Sequence, residues 1–521
     1  MPRIFMEINL INSRELDIVL DVKDSEISID DCSSTYLKSI SIGKSVIFDN
    51  YDVKVNLNKF FGHHFAVLGN TGSGKSNTIA HTIQKIFSKK NKSAVGAHIL
   101  VVDSNGEYDK SFKNISKNNK NINYKNICVS PDDFQLPIWA LSNDDWAILL
   151  NASDKTQVPI INKAMQLVKI SSIEDSDERD SIYDYLLSSI ILGILGSPDL
   201  SGTKGDKIKS ILSKFSGKEI RKDMKISFKD SNKNYRETSL IRAVTLDFGN
   251  IPCYEELVNL CQENLEKKSH LDRLDSIDIP HYGIQEFQEA MELAIAYDGS
   301  INNKKIYEFT APMISRLDYL KNSQVGKIFS VTDFSSTDDF IDNIVTKYQL
   351  TNFDLSHIDD SSAEVILRVI SKMLLEFQKN NKHNKKLYPI NIIIEEAHRY
   401  IYSKADFSFD IFERIAKEGR KFELLLGISS QRPSELSKTV VSQCSNFIVH
   451  RIQNPDDLYY ISKMIPNANR EIMNRLTYLN TGSALIFGSS INIPTLTRFD
   501  IAVPSTDSSS ANISKKWFDV D

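Results

Sequence analysis

The chain has 521 residues, of which 41% are apolar and 25% charged, a composition close to that of folded globular proteins that excludes a disordered chain. At roughly 100 to 200 residues per domain, that length implies about three units rather than one core. Its 63 basic and 68 acidic residues give a formal charge of -5, which excludes binding nucleic acid by bulk positive charge; any such contact must be local, for instance inside a pore.

The five cysteines, Cys32, Cys128, Cys253, Cys261 and Cys444, are scattered without a C-x-x-C pair, so each reads first as a small buried hydrophobe. The sequence has neither an uninterrupted apolar stretch of membrane-spanning length nor a basic-then-apolar leader, which gives the expectation of a cytoplasmic protein without a membrane partner.

In chain order, residues 1–58 carry short β-type runs, Ile4 to Leu10, Leu16 to Val22 and Lys44 to Phe48, broken by polar turns. They read as a small β-barrel or sandwich. From His64 apolar strands alternate with helical stretches, the pattern of a mainly parallel sheet covered by helices in an α/β fold. The strand at His64 to Leu68 precedes a Gly-rich turn, and a second, Ala97 to Val102, ends in Asp103. The Lys/Asn-rich tract Lys113 to Asn126 reads as a solvated loop.

Residues 141–345 show helical periodicity in pieces, including Ile182 to Leu195 and Gln285 to Tyr297, and read as a mostly helical insertion. The core pattern of residues 59–140 then resumes over 346–521: a strand at Leu350 to Leu355 is followed by a helix with one apolar stripe, Val365, Ile366, Val369, Ile370, Met373, Leu374 and Phe377. A second Asn/Lys loop, Lys379 to Lys386, leads to the strand Ile390 to Ile394, a helix from Phe409 to Glu418, strands at Leu424 to Ser429 and Asn446 to Arg451, and a final β region.

Gly69-Asn70-Thr71-Gly72-Ser73-Gly74-Lys75-Ser76 fits the G-x-x-x-x-G-K-[ST] phosphate loop, lying after an apolar strand and before a helical run that opens at Asn77. Such a loop curls backbone N–H groups around the β-phosphate; Lys75 would reach the β/γ-phosphates and the Ser76 hydroxyl would ligate Mg²⁺, so ATP and Mg²⁺ are the expected cofactors. Ile392-Ile393-Ile394-Glu395-Glu396 delivers two carboxylates at the C-terminal edge of a strand, where ligands bind in open α/β sheets. Glu395 is assigned to the metal and Glu396 to the attacking water.

The order of these motifs with His63-His64-Phe65, Asp103-Ser104-Asn105-Gly106-Glu107-Tyr108, Ala397-His398, Ile415-Ala416-Lys417-Glu418-Gly419-Arg420-Lys421-Phe422 and Ser430-Gln431-Arg432-Pro433-Ser434-Glu435-Leu436 resembles the HerA branch of the HerA/FtsK superfamily. Gln443 to Arg451, Asn454-Pro455-Asp456-Asp457 and Gly482 to Gly488 resemble its later strands and turn. The resemblance implies a RecA-like core, an N-terminal β-barrel and a homo-hexameric ring with ATP hydrolysed at subunit interfaces. It implies that Gln431 is a polar sensor of the γ-phosphate, that Asp103 and Glu107 support water or magnesium, and that Arg420 is an arginine finger, with Arg414 and Arg432 as competitors.

The resemblance also implies DNA in the central pore and a separate nuclease or NADase-type effector protein, in DNA processing or anti-phage defence. A DNA translocase or helicase is therefore expected. The alternative is a nucleotide-regulated hexameric scaffold that assembles and activates an effector; a membrane-bound coupling ATPase is disfavoured by the lack of an anchor.

Overall fold

The computed structural model describes residues 38–508 except 49–50, 89–93, 230–233, 246–249, 267–273, 280, 302–304, 331–335, 384–387, 403–409 and 466–469, together with Glu15, Leu16, Val19 and Trp517. The chain forms two compact units, one of residues 1–134 and 333–521 and the other Gln135–Thr332.

The first unit is built on an eleven-stranded sheet. In chain order its strands are β1 (Ser39–Ser45), β2 (Asp52–Asn56), β3 (Phe65–Leu68), β4 (His98–Asp103), β5 (Tyr124–Cys128), β6 (Leu350–Asp354), β7 (Ile390–Ile394), β8 (Leu424–Ser430), β9 (Asn446–Val449), β10 (Ser483–Gly488) and β11 (Ile491–Phe499). They lie side by side as β2-β1-β11-β10-β9-β3-β8-β7-β4-β6-β5. The block from β9 to β5 is parallel, and the remaining pairings are antiparallel.

Continuous apolar runs explain the parallel block, because such strands must be covered on both faces. Every residue of β3, β4, β7 and β8 is buried. The covering helices include α1 (Lys75–Phe87), α2 (Asp109–Asn118), α3 (Asp360–His383) and α4 (Ile411–Glu418). All seven residues of the expected α3 stripe are buried in the core.

Two expected loops begin as helix instead. Within Lys113 to Asn126 lie the end of α2 and the start of β5, because Phe112, Ile115 and Ile122 supply enough apolar area to seat a Lys/Asn-rich segment on the core. The second, Lys379 to Lys386, begins as the last turn of α3, where the side chain of Gln378 donates to the carbonyls of Tyr388 and Glu423 at 2.8 and 3.3 Å.

Of the expected N-terminal β runs, Ile4 to Leu10 lies outside the described residues; within Leu16 to Val22 the described Leu16 and Val19 are helical. β1 and β2 form an antiparallel pair, and β1 joins β11.

The second unit is mainly helical, with Val158–Val168, Ser176–Leu195, Tyr254–Glu266 and Ile284–Ile301 among its helices and an antiparallel hairpin of Lys225–Lys229 with Tyr235–Ser239. Trp146 stacks on Phe287 at 3.8 Å and donates its indole N–H to the Tyr282 hydroxyl at 3.0 Å, so its polar atom is satisfied inside the core. The buried Asp184 carboxylate accepts the N–H groups of Lys218, Glu219 and Ile220, tying down the loop ahead of the hairpin.

Candidate nucleotide site

The phosphate loop leaves the end of β3 and enters α1 through Gly74, whose φ of 111° only glycine adopts readily. Glycine is also required at position 69: a Cβ there would lie 2.6 Å from that of His450, and φ is 152°. The loop is braced from behind. Asn70 N–H donates to the Arg451 carbonyl at 2.9 Å, and Gly482 N–H to the Ser73 carbonyl at 2.9 Å.

His450 is fully buried between these supports. Its Nδ1 lies 3.1 Å from the Ser483 carbonyl and its Nε2 3.0 Å from the Thr78 hydroxyl. Burial, and then the charge of Lys75, push its pKa down to about 3. The ring is therefore neutral, donating from Nδ1 to the carbonyl and accepting the Thr78 hydroxyl at Nε2.

Lys75 is buried, with Nζ 3.3 Å from the Asn70 carbonyl. Burial lowers its pKa, while the charges of Glu396, Glu395 and Glu107 oppose the shift. A buried ammonium anchored to the Gly-rich loop through the Asn70 carbonyl suits a polyphosphate.

Glu395 follows β7 directly and is 2% exposed. Its Oε1 accepts the Ser76 hydroxyl at 2.8 Å and the Tyr108 hydroxyl at 3.1 Å. Its Oε2 is buried with no hydrogen-bond partner among the described residues. Burial first, then the charges of Asp103 and Glu107, push this carboxyl up to about 8. An orphaned carboxylate oxygen beside a serine hydroxyl is a donor set that fits Mg²⁺, which takes hard oxygen ligands.

Glu396 occupies the left-handed region at φ 45°, an uncommon conformation for a residue with a side chain. The turn directs its carboxylate to within 3.4 Å of His398 Nδ1, which is also 3.2 Å from the Ser430 hydroxyl. Burial lowers the His398 pKa against the opposing charge of Glu396.

The remaining expected site residues divide. Gln431, at the end of β8, accepts a hydrogen bond from the Thr71 hydroxyl, so it touches the phosphate loop. Glu107 is half-buried, and its carboxyl is shifted upward, mainly by burial. Asp103 turns inward: its carboxylate accepts the N–H groups of Asn105, Glu107 and Tyr108 at 2.9 to 3.3 Å and the Asn352 amide at 3.3 Å. It shapes the turn that carries Glu107. Asn77 uses its side chain to hold the C-terminal segment, donating to the Asp500 carbonyl at 3.0 Å and accepting Ala502 N–H at 2.9 Å.

Arg420 lies elsewhere. It is exposed just before β8, whereas the phosphate loop follows the C-terminal end of the adjacent β3. Its charge contributes to lowering the pKa values of His63 and His64 at the start of β3. The seven residues of β8 separate the two sheet edges, a span of about 20 Å at roughly 3.3 Å per residue. Among the described residues Arg420 makes no ion pair, whereas Arg414 lies 4.0 Å from Glu376 and 3.8 Å from Glu418, and Arg432 lies 2.9 Å from Glu435.

Sequence reasoning missed Tyr108, His450 and Gly482 as parts of the site. All three stand inside motifs that were recognised, but only the fold shows that they touch Glu395, Thr78 and the phosphate loop.

One strand, β8, separates the phosphate-loop strand from the acidic strand β7, and the polar Gln431 follows it directly. With the fold, this defines a RecA-like P-loop ATPase. Residues 40–255 match the family model described as "Helicase HerA, central domain".

The DNA double-strand break repair helicase HerA of Pyrococcus furiosus is 26% identical over 474 residues, 88% of this chain and 69% of that protein. Its counterpart in Saccharolobus solfataricus is 25% identical, covering 89% of this chain and 68% of the relative. Among solved structures, VirB4 of Thermoanaerobacter pseudethanolicus aligns with a TM-score of 0.45 at 12% identity, covering 89% of this chain and 96% of that one. Among the described residues no helix is long and apolar enough to cross a membrane.

Proposed function

We propose that the chain is an ATP-driven DNA translocase or helicase that works as a homo-hexameric ring, with DNA in its central pore and a nuclease or NADase-type effector supplied by a separate protein. The similarity to HerA helicases over most of the chain supports the motor. The observation that carries the ring is Arg420, exposed and without an ion pair among the described residues, at the sheet edge opposite its own phosphate loop.

In this reading Gly69, Asn70, Thr71, Gly72, Ser73, Gly74 and Asn77 form the phosphate cradle and the helix start, and Lys75 meets the β/γ-phosphates. Ser76 and Glu395 hold Mg²⁺, which supplies charge neutralisation at the β- and γ-phosphates. Glu396 accepts the proton of the attacking water, and His398 keeps its carboxylate oriented from 3.4 Å. Glu107, on the turn that the Asp103 carboxylate shapes, supports the same oxygen cluster. Gln431 reports the γ-phosphate to the loop through Thr71. Arg420 completes the site of the neighbouring subunit, where a guanidinium neutralises charge that develops during transfer.

The test is ATP turnover of the full chain with and without double-stranded DNA, alongside displacement of a labelled strand. The motor reading expects DNA-stimulated turnover coupled to displacement or movement. Turnover indifferent to DNA, in a protein that still assembles and activates an effector, would replace it with a scaffold.

A further inference from the structure

Beyond the nucleotide site, the same sheet edge brings together a thiol, a carboxylate and an imidazole. Cys128 ends β5 and Asp354 ends β6, and the two are register partners in a parallel pair, so their side chains stand on the same face. His357 follows in the turn before α3. Cys128 Sγ, an Asp354 carboxylate oxygen and a His357 ring nitrogen all lie within 4.8 Å of one another. Cys128 and Asp354 are half-buried and His357 is exposed, so an ion could reach the cluster from solvent.

We propose that Cys128, Asp354 and His357 form a binding site for a divalent transition metal of the zinc class. Metal–sulfur and metal–nitrogen bonds of about 2.3 and 2.0 Å at tetrahedral angles put donors about 3.5 Å apart, so the cluster has to close by roughly 1 Å. Side-chain rotation can supply that. A thiolate with an imidazole selects borderline-soft ions such as Zn²⁺ over Mg²⁺ or Ca²⁺. As the metal–sulfur bond forms, the Cys128 proton leaves to solvent. Water fills the fourth position.

The site abuts the turn that carries Glu107 and Tyr108. Leu355 N–H donates to the Asp103 carbonyl at 2.9 Å, and Ser356 N–H to Asp354 Oδ1 at 2.9 Å. Gly106 has φ 72°, and a Cβ there would lie 3.0 Å from Ser356 Oγ and 3.4 Å from both Asp354 carboxylate oxygens. A bound ion would therefore stiffen the 354–357 loop against the Asp103–Tyr108 turn. The metal proposal does not depend on the DNA reading.

The test strips the full-length protein with a chelator and titrates it with Co²⁺ in excess Mg²⁺, following the sulfur-to-cobalt charge-transfer absorption. One equivalent per chain, displaced by Zn²⁺, is expected, with the band lost in Cys128→Ser. His357→Ala, a surface change that leaves folding intact, should weaken binding at least about 100-fold, the upper end of what even indirect metal contacts cost. Absence of the band, its survival in Cys128→Ser, or unchanged affinity in His357→Ala would overturn the site. Should Cys128→Ser not fold, His357→Ala alone decides.

Discussion

Ser76 Oγ lies 2.8 Å from Glu395 Oε1, joining the first turn of α1 to the end of β7 across 319 residues of sequence. This contact gives the adjacent carboxylates different tasks: Glu395 is fixed beside the phosphate loop, while Glu396 is turned toward His398. Glu396→Gln should accordingly keep ATP and Mg²⁺ binding yet block hydrolysis, because an amide preserves shape but cannot accept a proton. Glu395→Gln should weaken metal binding instead. Nucleotide-binding and single-turnover measurements on both variants separate the roles, and the opposite pattern would reverse them.

The raised pKa of Glu395 fixes the sign of a pH effect. Its carboxyl goes from an ordinary 4.5 to about 8 in the fold, mainly through burial, so the folded chain binds the extra proton and metal-free stability falls as pH rises between those values. Denaturant titrations in chelator at several pH values should show this slope, reduced in Glu395→Gln. Mg²⁺ competes with the same proton, so its apparent affinity should rise from pH 6 to 8. An identical slope in Glu395→Gln would count against the assignment.

Tyr108 donates to the same carboxylate oxygen. Tyr108→Phe should cost only about 1 kcal/mol of stability, but without that donor the carboxyl keeps its proton to higher pH. The pH profile of Mg²⁺-dependent turnover should move upward. A drop in turnover with no shift of the profile would make Tyr108 purely a packing residue.

Lys75→Ala removes the ammonium expected at the β/γ-phosphates and should lower ATP turnover at least about 100-fold, consistent with the several kcal/mol that such contacts supply. Circular dichroism should show the fold retained. Near-normal turnover in the folded variant would remove the phosphate loop from the mechanism.

Much of this site was legible because its chemistry is written in contiguous motifs. Gly69 to Ser76 requires glycines where the backbone turns left-handed, and Ile390 to Glu396 is an apolar strand ending in carboxylates. Parallel strands were equally readable, since β3, β4, β7 and β8 are mainly apolar and buried throughout. Non-local supports were not. Nothing local marks His450 as the residue that will sit behind Gly69 and bond to Thr78, and polar composition concealed α2 because Phe112 and Ile115 are few among lysines and asparagines. Cys128 and His357 are 229 positions apart by number and are drawn together only by the register of β5 with β6.

The most direct test of the account uses subunit mixing, because a finger acting across an interface makes each active site depend on two chains. Arg420→Ala alone should leave ATP binding largely intact and lower turnover on the order of 10³-fold. Mixed with Glu396→Gln subunits, it should regain measurable ATPase, since some interfaces then combine an intact Arg420 with an intact Glu396. A mixture that demonstrably exchanges subunits yet stays as inactive as either parent, while Arg414→Ala mixtures recover, would contradict the account and move the finger to Arg414.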